Sequence, residues 1–123
     1  MRKRILLILR RIRRLERRRA GTLRRLLLDA PLLRASLSLV KRTCGKPSCH
    51  CATQPGHDVW VLTTSQGGRR RCQVVRQDDV DTVRQLLSTY REYREGLRAL
   101  DATHTEEKLL LRGLMEKRNV PYE

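Results

Sequence analysis

Phenylalanine is absent from this chain, tryptophan occurs once, at Trp60, and aromatic residues make up only 3 % of the sequence. A core must therefore be assembled from Leu, Val and Ile, which in 123 residues favours helix packed on helix. The shortage of rings also argues against a single-strand reader that stacks bases on Phe or Tyr. Long apolar runs are missing as well. Ile5 to Leu9 is closed by Arg10 and Arg11, well short of the ~7–15 residues of a signal-peptide core or the ~20 of a membrane span. Hydroxyl residues are scarce in the basic start, where Thr22 is the only one before Ser36, which sets it apart from a mitochondrial presequence. The most telling shortage is of acids: Glu16 and Asp29 are the only two before residue 43, against 15 Lys and Arg.

Positive charge dominates what is present. The chain carries +15 in total, +13 of it before residue 43 and +2 in the remainder. Lysines number five, so 23 of the 28 cationic residues are Arg. A GC-rich coding sequence accounts for Arg over Lys, but not for acids being withheld from one segment and abundant in the other. Such a balance points to a polyanionic partner.

From Arg2 to Asp29 the pattern is helical. Ile5, Ile8, Ile12, Leu15, Thr22 and Leu26 recur in steps of three and four, and Arg19 alone interrupts the seam. The other faces carry Arg10, Arg11, Arg13, Arg14, Arg17, Arg18, Arg24 and Arg25. At about 1.5 Å rise per residue, one side of a helix ~40 Å long is then almost continuously cationic. Pro31 is expected to end it, with Leu27, Leu28, Leu32 and Leu33 left to pack on the module that follows. Arg34 to Arg42 reads as a short connection. Val59 to Thr64 and Arg69 to Val75, joined by Gly67-Gly68, read as a β-hairpin. From Asp78 the period is helical again, with Asp78 or Asp79 as N-cap and Asp81 in the first turn. The seam there is Val83, Leu86, Tyr90, Tyr93, Leu97, Leu100, His104, Glu107, Leu111 and Leu114, on a helix from about Val80 to Lys117 in which Gly96 marks a bend or a close contact.

These elements predict a mainly α fold: two long helices in an antiparallel, coiled-coil-like hairpin around a central zinc-knuckle and β-hairpin module. The segments are 1–30, an Arg-rich helix; 31–78, the central module; and 79–123, the long amphipathic helix. Equal rise on both helices puts Asp29 near Val83 and Arg2 near Leu110. Leu110, Leu111, Leu114 and Met115 then project uncovered, which predicts a homodimer or a larger protein partner.

The chemistry concentrates between Thr43 and His57, in T-C-G-K-P-S-C-H-C-A-T-Q-P-G-H. Cys44, Cys49 and Cys51 lie within eight residues, with His50 and His57 in or just beyond that run. Zinc takes about four soft or borderline ligands near tetrahedral geometry, with thiolate preferred. The three cysteines supply three. The fourth is His57 or Cys72, since His50 sits between two ligands and would have to bend back sharply. Gly45 and Pro47, and then Pro55-Gly56, provide the turns that gather the donors. Buried reduced cysteines would have apolar neighbours; these have Gly, Pro, Lys and His. A site filled by four protein ligands is structural and closed, with no open position for a water nucleophile. Clustered thiols without a secretory signal imply a reducing compartment, so a cytoplasmic protein is expected.

The run C-G-K-P-S-C-H-C-A, followed by G-H and a long helix containing Y-R-E-Y-R, resembles a family of small uncharacterised prokaryotic proteins. Their shared pattern is C-G-K-P-x-C-x-C-A followed by G-H-G-P-Y, and the similarity spans about Leu39 to Leu100. This chain departs from it after His57, with Asp58-Val59-Trp60 in place of Gly-Pro-Tyr. The resemblance implies His57 as the fourth ligand, because the pattern holds a His there and no Cys at the position of Cys72. It implies a mobile-element neighbourhood and no established activity.

The expected function is non-catalytic nucleic-acid binding, as an accessory subunit of a ribonucleoprotein or mobile-element complex. The helix arginines named above would bind phosphate, with Lys41, Arg42, Lys46, Arg69, Arg70 and Arg71 adding charge around the central module. Structured RNA stands ahead of duplex DNA, since Arg-rich helices suit irregular RNA grooves and no helix-turn-helix pattern appears. A solvated coiled-coil exterior would alternate charge signs, and this one does not. The alternative is an interaction scaffold or dimerisation module that docks on a larger nuclease or transposase. An enzyme is not expected, and neither is a small-molecule substrate or a membrane: His104, Glu106 and Glu107 form no acid pair with a nucleophile, and Ser48 has no base. Tyr90 and Tyr93 read as packing residues, and Trp60 as packing on the metal loop.

Overall fold

The structure, a computed structural model, describes residues 2–54 and 56–122. In chain order it runs α1 (Arg2–Leu26), β1 (Ser36–Arg42), a 3-10 turn (His50–Ala52), β2 (His57–Gln66), β3 (Arg69–Val75), a second 3-10 turn (Gln77–Asp79) and α2 (Val80–Arg118). Two helices and a small three-stranded antiparallel sheet of order β1-β2-β3 thus make up the regular structure. Where the sequence pattern segments the chain at residues 30 and 78, its contacts divide it after Asp29 and again after Arg91. One unit is Ala30–Arg91 and the other Met1–Asp29 with Glu92–Glu123. The first turns of α2 thus belong with the sheet.

In the sheet unit, β2 is the central strand, and Val61, 5 % exposed, is its most buried residue. The hairpin closes on Gln66 paired with Arg69, and Gly67 and Gly68 both have positive φ, 56° and 79°. That is a two-residue type I′ turn, whose twist matches the strands and which glycine adopts without steric cost. The expected hairpin has gained a third strand. Ser36 to Arg42, read from sequence as a connection, pairs antiparallel with β2 from Ser36↔Thr63 to Arg42↔His57. Its signal was the alternation Ser36-Leu37-Ser38-Leu39, and pairing it satisfies an edge of β2 that a hairpin alone leaves open. The backbone N–H of Leu33 donates to the carbonyl of Leu86 at 3.1 Å, tying the approach to β1 to α2. Val80 and Leu87 are buried. Neither Asp78 nor Asp79 is an N-cap: both lie inside the 3-10 turn, whose cap position is Arg76 with no side-chain bond. Together with Asp81 they still place negative charge where the helix dipole favours it.

In the other unit, the α1 seam lies where its periodicity put it. Leu15 and Thr22 are buried, at 1 % and 3 % exposure, and Ile5, Ile8, Ile12, Arg19 and Leu26 are half-buried. Arg19 interrupts the seam for a reason: its guanidinium reaches Glu107 Oε2 at 3.3 Å, Glu16 Oε1 at 3.4 Å and His104 Nδ1 at 3.4 Å. The helix ends at Leu26, earlier than expected. Leu27 N–H still bonds Leu23 O, while Leu28 N–H reaches back only to Arg25 O, so the last turn tightens and stops before Pro31 acts. Leu27 and Leu28 are mostly exposed, at 79 % and 69 %, and Leu32 is 40 % exposed.

On α2 the buried stripe differs from the expected seam. Gly96, Ala99, Leu100, Thr103, Glu107, Leu110 and Leu114 are buried or half-buried, whereas Tyr93, Leu97, Leu111 and His104 are exposed. Small residues decide this. A Cβ on Gly96 would lie 2.6 Å from Leu26 Cδ2, so Leu26 fills the space that this glycine leaves; one on Gly113 would lie 4.0 Å from Ile8 Cδ1, in ordinary contact. The contacts run in antiparallel order, but the expected register put Leu26 near Leu86 and Ile8 near His104. With Ile8 opposite Gly113, the segment from Leu110 onward does not project beyond α1. Leu110 and Leu114 are half-buried, and Leu111 and Met115 remain 51 % and 64 % exposed.

Replacing the fully buried Leu15 by Ala should cost about 2–5 kcal/mol of unfolding free energy, as buried leucines do. Leu27→Ala should change it by less than ~0.5 kcal/mol, as exposed positions do. Chemical denaturation of both variants checks which leucines form the core.

Candidate metal centre

Three short-range features gather the cysteine loop. Cys49 is extended, at φ −82° and ψ 146°, and caps the 3-10 turn His50–Ala52. Loop bonds from Cys49 N to Lys46 O and from Ala52 N to Cys49 O fold the segment back on itself. Gly56 then passes against the end of β1, where a Cβ would run into the Arg42 backbone, and delivers His57 to the first position of β2 opposite Arg42. Pro55, expected to share that turn, lies outside the described residues.

Cys44, Cys49, Cys51 and His57 converge, with one ligand atom from each all within 4.8 Å of one another. Cys44 Sγ is 3.3 Å from Cys51 Sγ, and Cys49 Sγ is 3.2 Å from His57 Nε2. Ligands at about 2.3 Å from a tetrahedral ion stand roughly 3.8 Å apart, so the cluster has the size of a four-coordinate metal site. Cys51 is buried, and its sulfur accepts the Cys44 backbone N–H at 3.3 Å. Such N–H···S bonds orient a ligating thiolate. Cys72 is elsewhere, on β3 opposite Thr63, with its sulfur 3.7 Å from Thr63 Oγ1. His50 approaches Cys49 Sγ only at 3.8 Å and meets the His57 ring edge-on, centroids 5.0 Å apart.

The electrostatics suit a cation. Backbone bonding at Cys51, then the thiol of Cys51 and the His57 ring, pulls the Cys49 thiol down to about 6. Backbone bonding at Lys46, followed by Cys51 and His57, lowers Cys44 as well. At Cys51 the bond from Cys44 N–H lowers the value, but burial and the two neighbouring thiols outweigh it and raise the group. The His57 ring is raised by its bond to Cys49 and then by Cys44, because a nearby thiolate favours imidazolium. A metal ion would replace that proton and satisfy three crowded sulfurs at once.

The basic residues divide into separate sets. Arg10, Arg13, Arg14, Arg17, Arg18, Arg24 and Arg25 are exposed on α1. Arg11, expected among them, is half-buried and bonds Glu106, its Nε at 2.8 Å and its Nη2 at 2.6 Å from Oε1. Lys41, Arg42 and Lys46 stand at the metal end of the sheet, where Lys41 pairs with Asp58 at 3.0 Å. Arg69, Arg70 and Arg71 stand at the other end, beside the Gly67-Gly68 turn. Within the sheet unit the basic residues thus form two groups at opposite ends of the strands. The Arg84 guanidinium lies over the Trp60 ring, 4.6 Å from the centroid, a cation–π contact that spacing alone could not reveal.

Comparison with protein families places residues 5–85 in the domain of unknown function DUF6788, and the chain belongs to that family. The shared region takes in nearly all of α1, the whole sheet and the Cys/His cluster, so it begins earlier and ends earlier than the resemblance carried by the cysteine loop. Comparisons with curated proteins and with solved structures give no match.

Cys49→Ser should abolish stoichiometric metal in the purified protein and lower its melting temperature, whereas Cys72→Ser should leave both unchanged; metal analysis with thermal melting reads the two. Metal retention should also depend on pH with a definite sign. Thiolate is the ligating form, so affinity is present above about 6 and falls as acidification through that value protonates Cys49. The raised His57 competes for its proton in the same direction. Chelator competition between pH 5 and 8 should show release at the acid end.

Proposed function

We propose that this DUF6788 protein is a non-catalytic nucleic-acid-binding protein, with structured RNA preferred over duplex DNA. It acts as an accessory subunit of a cytoplasmic ribonucleoprotein or mobile-element complex. In this reading the metal is Zn2+, held by Cys44, Cys49, Cys51 and His57 in a closed, structural site. The two helices act as a coiled-coil-like hairpin that presents α1.

One observation carries the reading: nine exposed arginines on α1, none of them in an ion pair with an acid among the described residues. Glu16 is the sole acid of that helix, and it is turned to Arg19. The placement also works against the helix itself. Arg2, Lys3 and Arg4 occupy the N-terminal turn, which has no acidic residue, and cations there oppose the helix dipole by roughly 0.3–1 kcal/mol each. Charge kept against a local cost is more readily understood as serving a ligand than as serving the fold. Guanidinium forks match phosphate oxygens, and backbone binding of this kind weakens steeply with salt. The catalogue of side chains supports no catalysis, since the Cys/His cluster fills its own coordination sphere. No helix among the described residues is long and apolar enough to cross a membrane.

A second reading keeps a specific observation behind it. Leu111 and Met115 are exposed beside the half-buried Leu114, and the three line an open concavity with Glu116, Arg118 and Asn119. A second copy or a larger nuclease or transposase could dock there. Salt distinguishes the two readings, because an apolar helix interface is insensitive to ionic strength where phosphate contacts are not.

Joint replacement of Arg13, Arg14, Arg17 and Arg18 by Gln should preserve helix content and lower affinity for a structured RNA by roughly a hundredfold or more at low salt. It should also flatten the salt dependence by about three to four phosphate contacts. Circular dichroism and fluorescence anisotropy measure the two. Unchanged affinity would sink the assignment.

A further inference from the structure

Three glycines lie inside the helices, and they differ in what their missing side chains make room for. At Gly96 the space is taken by Leu26, and at Gly113 a Cβ would come into ordinary contact with the apolar Ile8 of the facing helix, 4.0 Å away. Gly21 is different. A Cβ there would meet only Arg24 Nη2, at 3.9 Å, and nothing else among the described residues within 4 Å. Glycine is among the poorest residues for a helix interior, and no packing contact accounts for this one.

Its surroundings do. Helical residues three and four positions apart are surface neighbours, so Gly21 is ringed by Arg17, Arg18, Arg24 and Arg25, at i−4, i−3, i+3 and i+4. All four are exposed. At about 100° per residue, Gly21 lies well round the helix from the Leu15 and Leu26 stripe. The missing Cβ leaves the helix backbone more open at this point, with Arg24 Nη2 3.9 Å from where a Cβ would stand. A tetrahedral phosphate presents oxygens in several directions, which suits convergent forks on more than one side. An alanine methyl would occupy the place where such a group approaches most closely.

We propose that Gly21 and the four arginines around it seat one backbone phosphate of the bound nucleic acid. This rests on the nucleic-acid reading above and adds to it a fixed point of contact: the polyanion is gripped at Gly21 and tracked by the remaining arginines. A helix that merely needed charge would carry alanine here and be more stable.

That opposition supplies the test. Wild type, Gly21→Ala and Gly21→Leu are compared, as full chains, for thermal melting and for binding to a fluorescent RNA hairpin with a double-stranded stem across a salt series. Anionic phosphatidylserine vesicles serve as a parallel arm. The expected result is that Gly21→Ala melts higher than wild type yet binds the hairpin about fivefold to tenfold more weakly, the worth of one ordinary hydrogen bond. Gly21→Leu should bind more weakly still. If wild type binds RNA and Gly21→Ala binds equally well or better, the phosphate seat at Gly21 is overturned while the nucleic-acid reading stands. If wild type binds no RNA at low salt, or binds only the vesicles, that reading fails and takes the phosphate seat with it.

Discussion

Three sulfurs and an imidazole held within 4.8 Å of one another form a cluster in which three thiolates would repel one another unless a cation stands among them, and the sheet unit is arranged around that constraint. The loop supplies Cys44, Cys49 and Cys51 through its own turns, but His57 comes from a strand. It can reach the sulfurs only because β2 begins where β1 ends, with Arg42 opposite His57 and Gly56 passing close by. Strand pairing and donor geometry are thus one arrangement. A metal bound there would couple to the sheet directly, since its fourth ligand is the first residue of the central strand.

The helical unit is stabilised on different terms. Its most buried positions include Thr22, Thr103 and Glu107 beside Leu15, so the interior is partly polar. Burial, followed by the nearby Glu16, raises the Glu107 carboxyl, and Arg19 acts against both. One oxygen of Glu107 faces Arg19, while the other has no hydrogen-bond partner. Buried charge of this kind contributes little net stability, but it penalises any register that separates the partners. Gly96 acts in the same sense, because a Cβ there would collide with Leu26. A polar pair and one absent side chain thus both favour the register seen in this unit.

Charge is distributed in a distinctive way over the helical unit. Glu106 pairs with Arg11 and Glu107 with Arg19, while most other arginines of α1 face solvent. The sheet unit has two smaller basic groups at opposite ends of its strands. This is a division between cations paired within the fold and cations left exposed, and the sequence alone does not mark which is which: Arg10 and Arg11 are neighbours in the chain, one exposed and the other paired with Glu106.

Much was legible before any coordinates. Local rules determined α1 and α2, because steps of three and four residues with few interruptions have one regular solution, and they determined the hairpin, because Gly67-Gly68 between two β-branched runs demands a type I′ turn. The cysteine spacing and the acid-poor start carried the candidate chemistry. Tertiary structure decided what depends on partners distant in sequence. Ser36 to Arg42 becomes a strand only because β2 offers an unpaired edge, and Cys72 is set aside because β3 pairing carries it six positions up the strand from His57. Past Tyr90 the stripe that α2 buries runs through Gly96, Ala99 and Thr103 and leaves Tyr93 exposed, since close approach rewards the smallest residue on a face and hydrophobic period does not record size. Periodicity reports which face of an element is apolar; what meets that face, and at what register, is a property of two elements together.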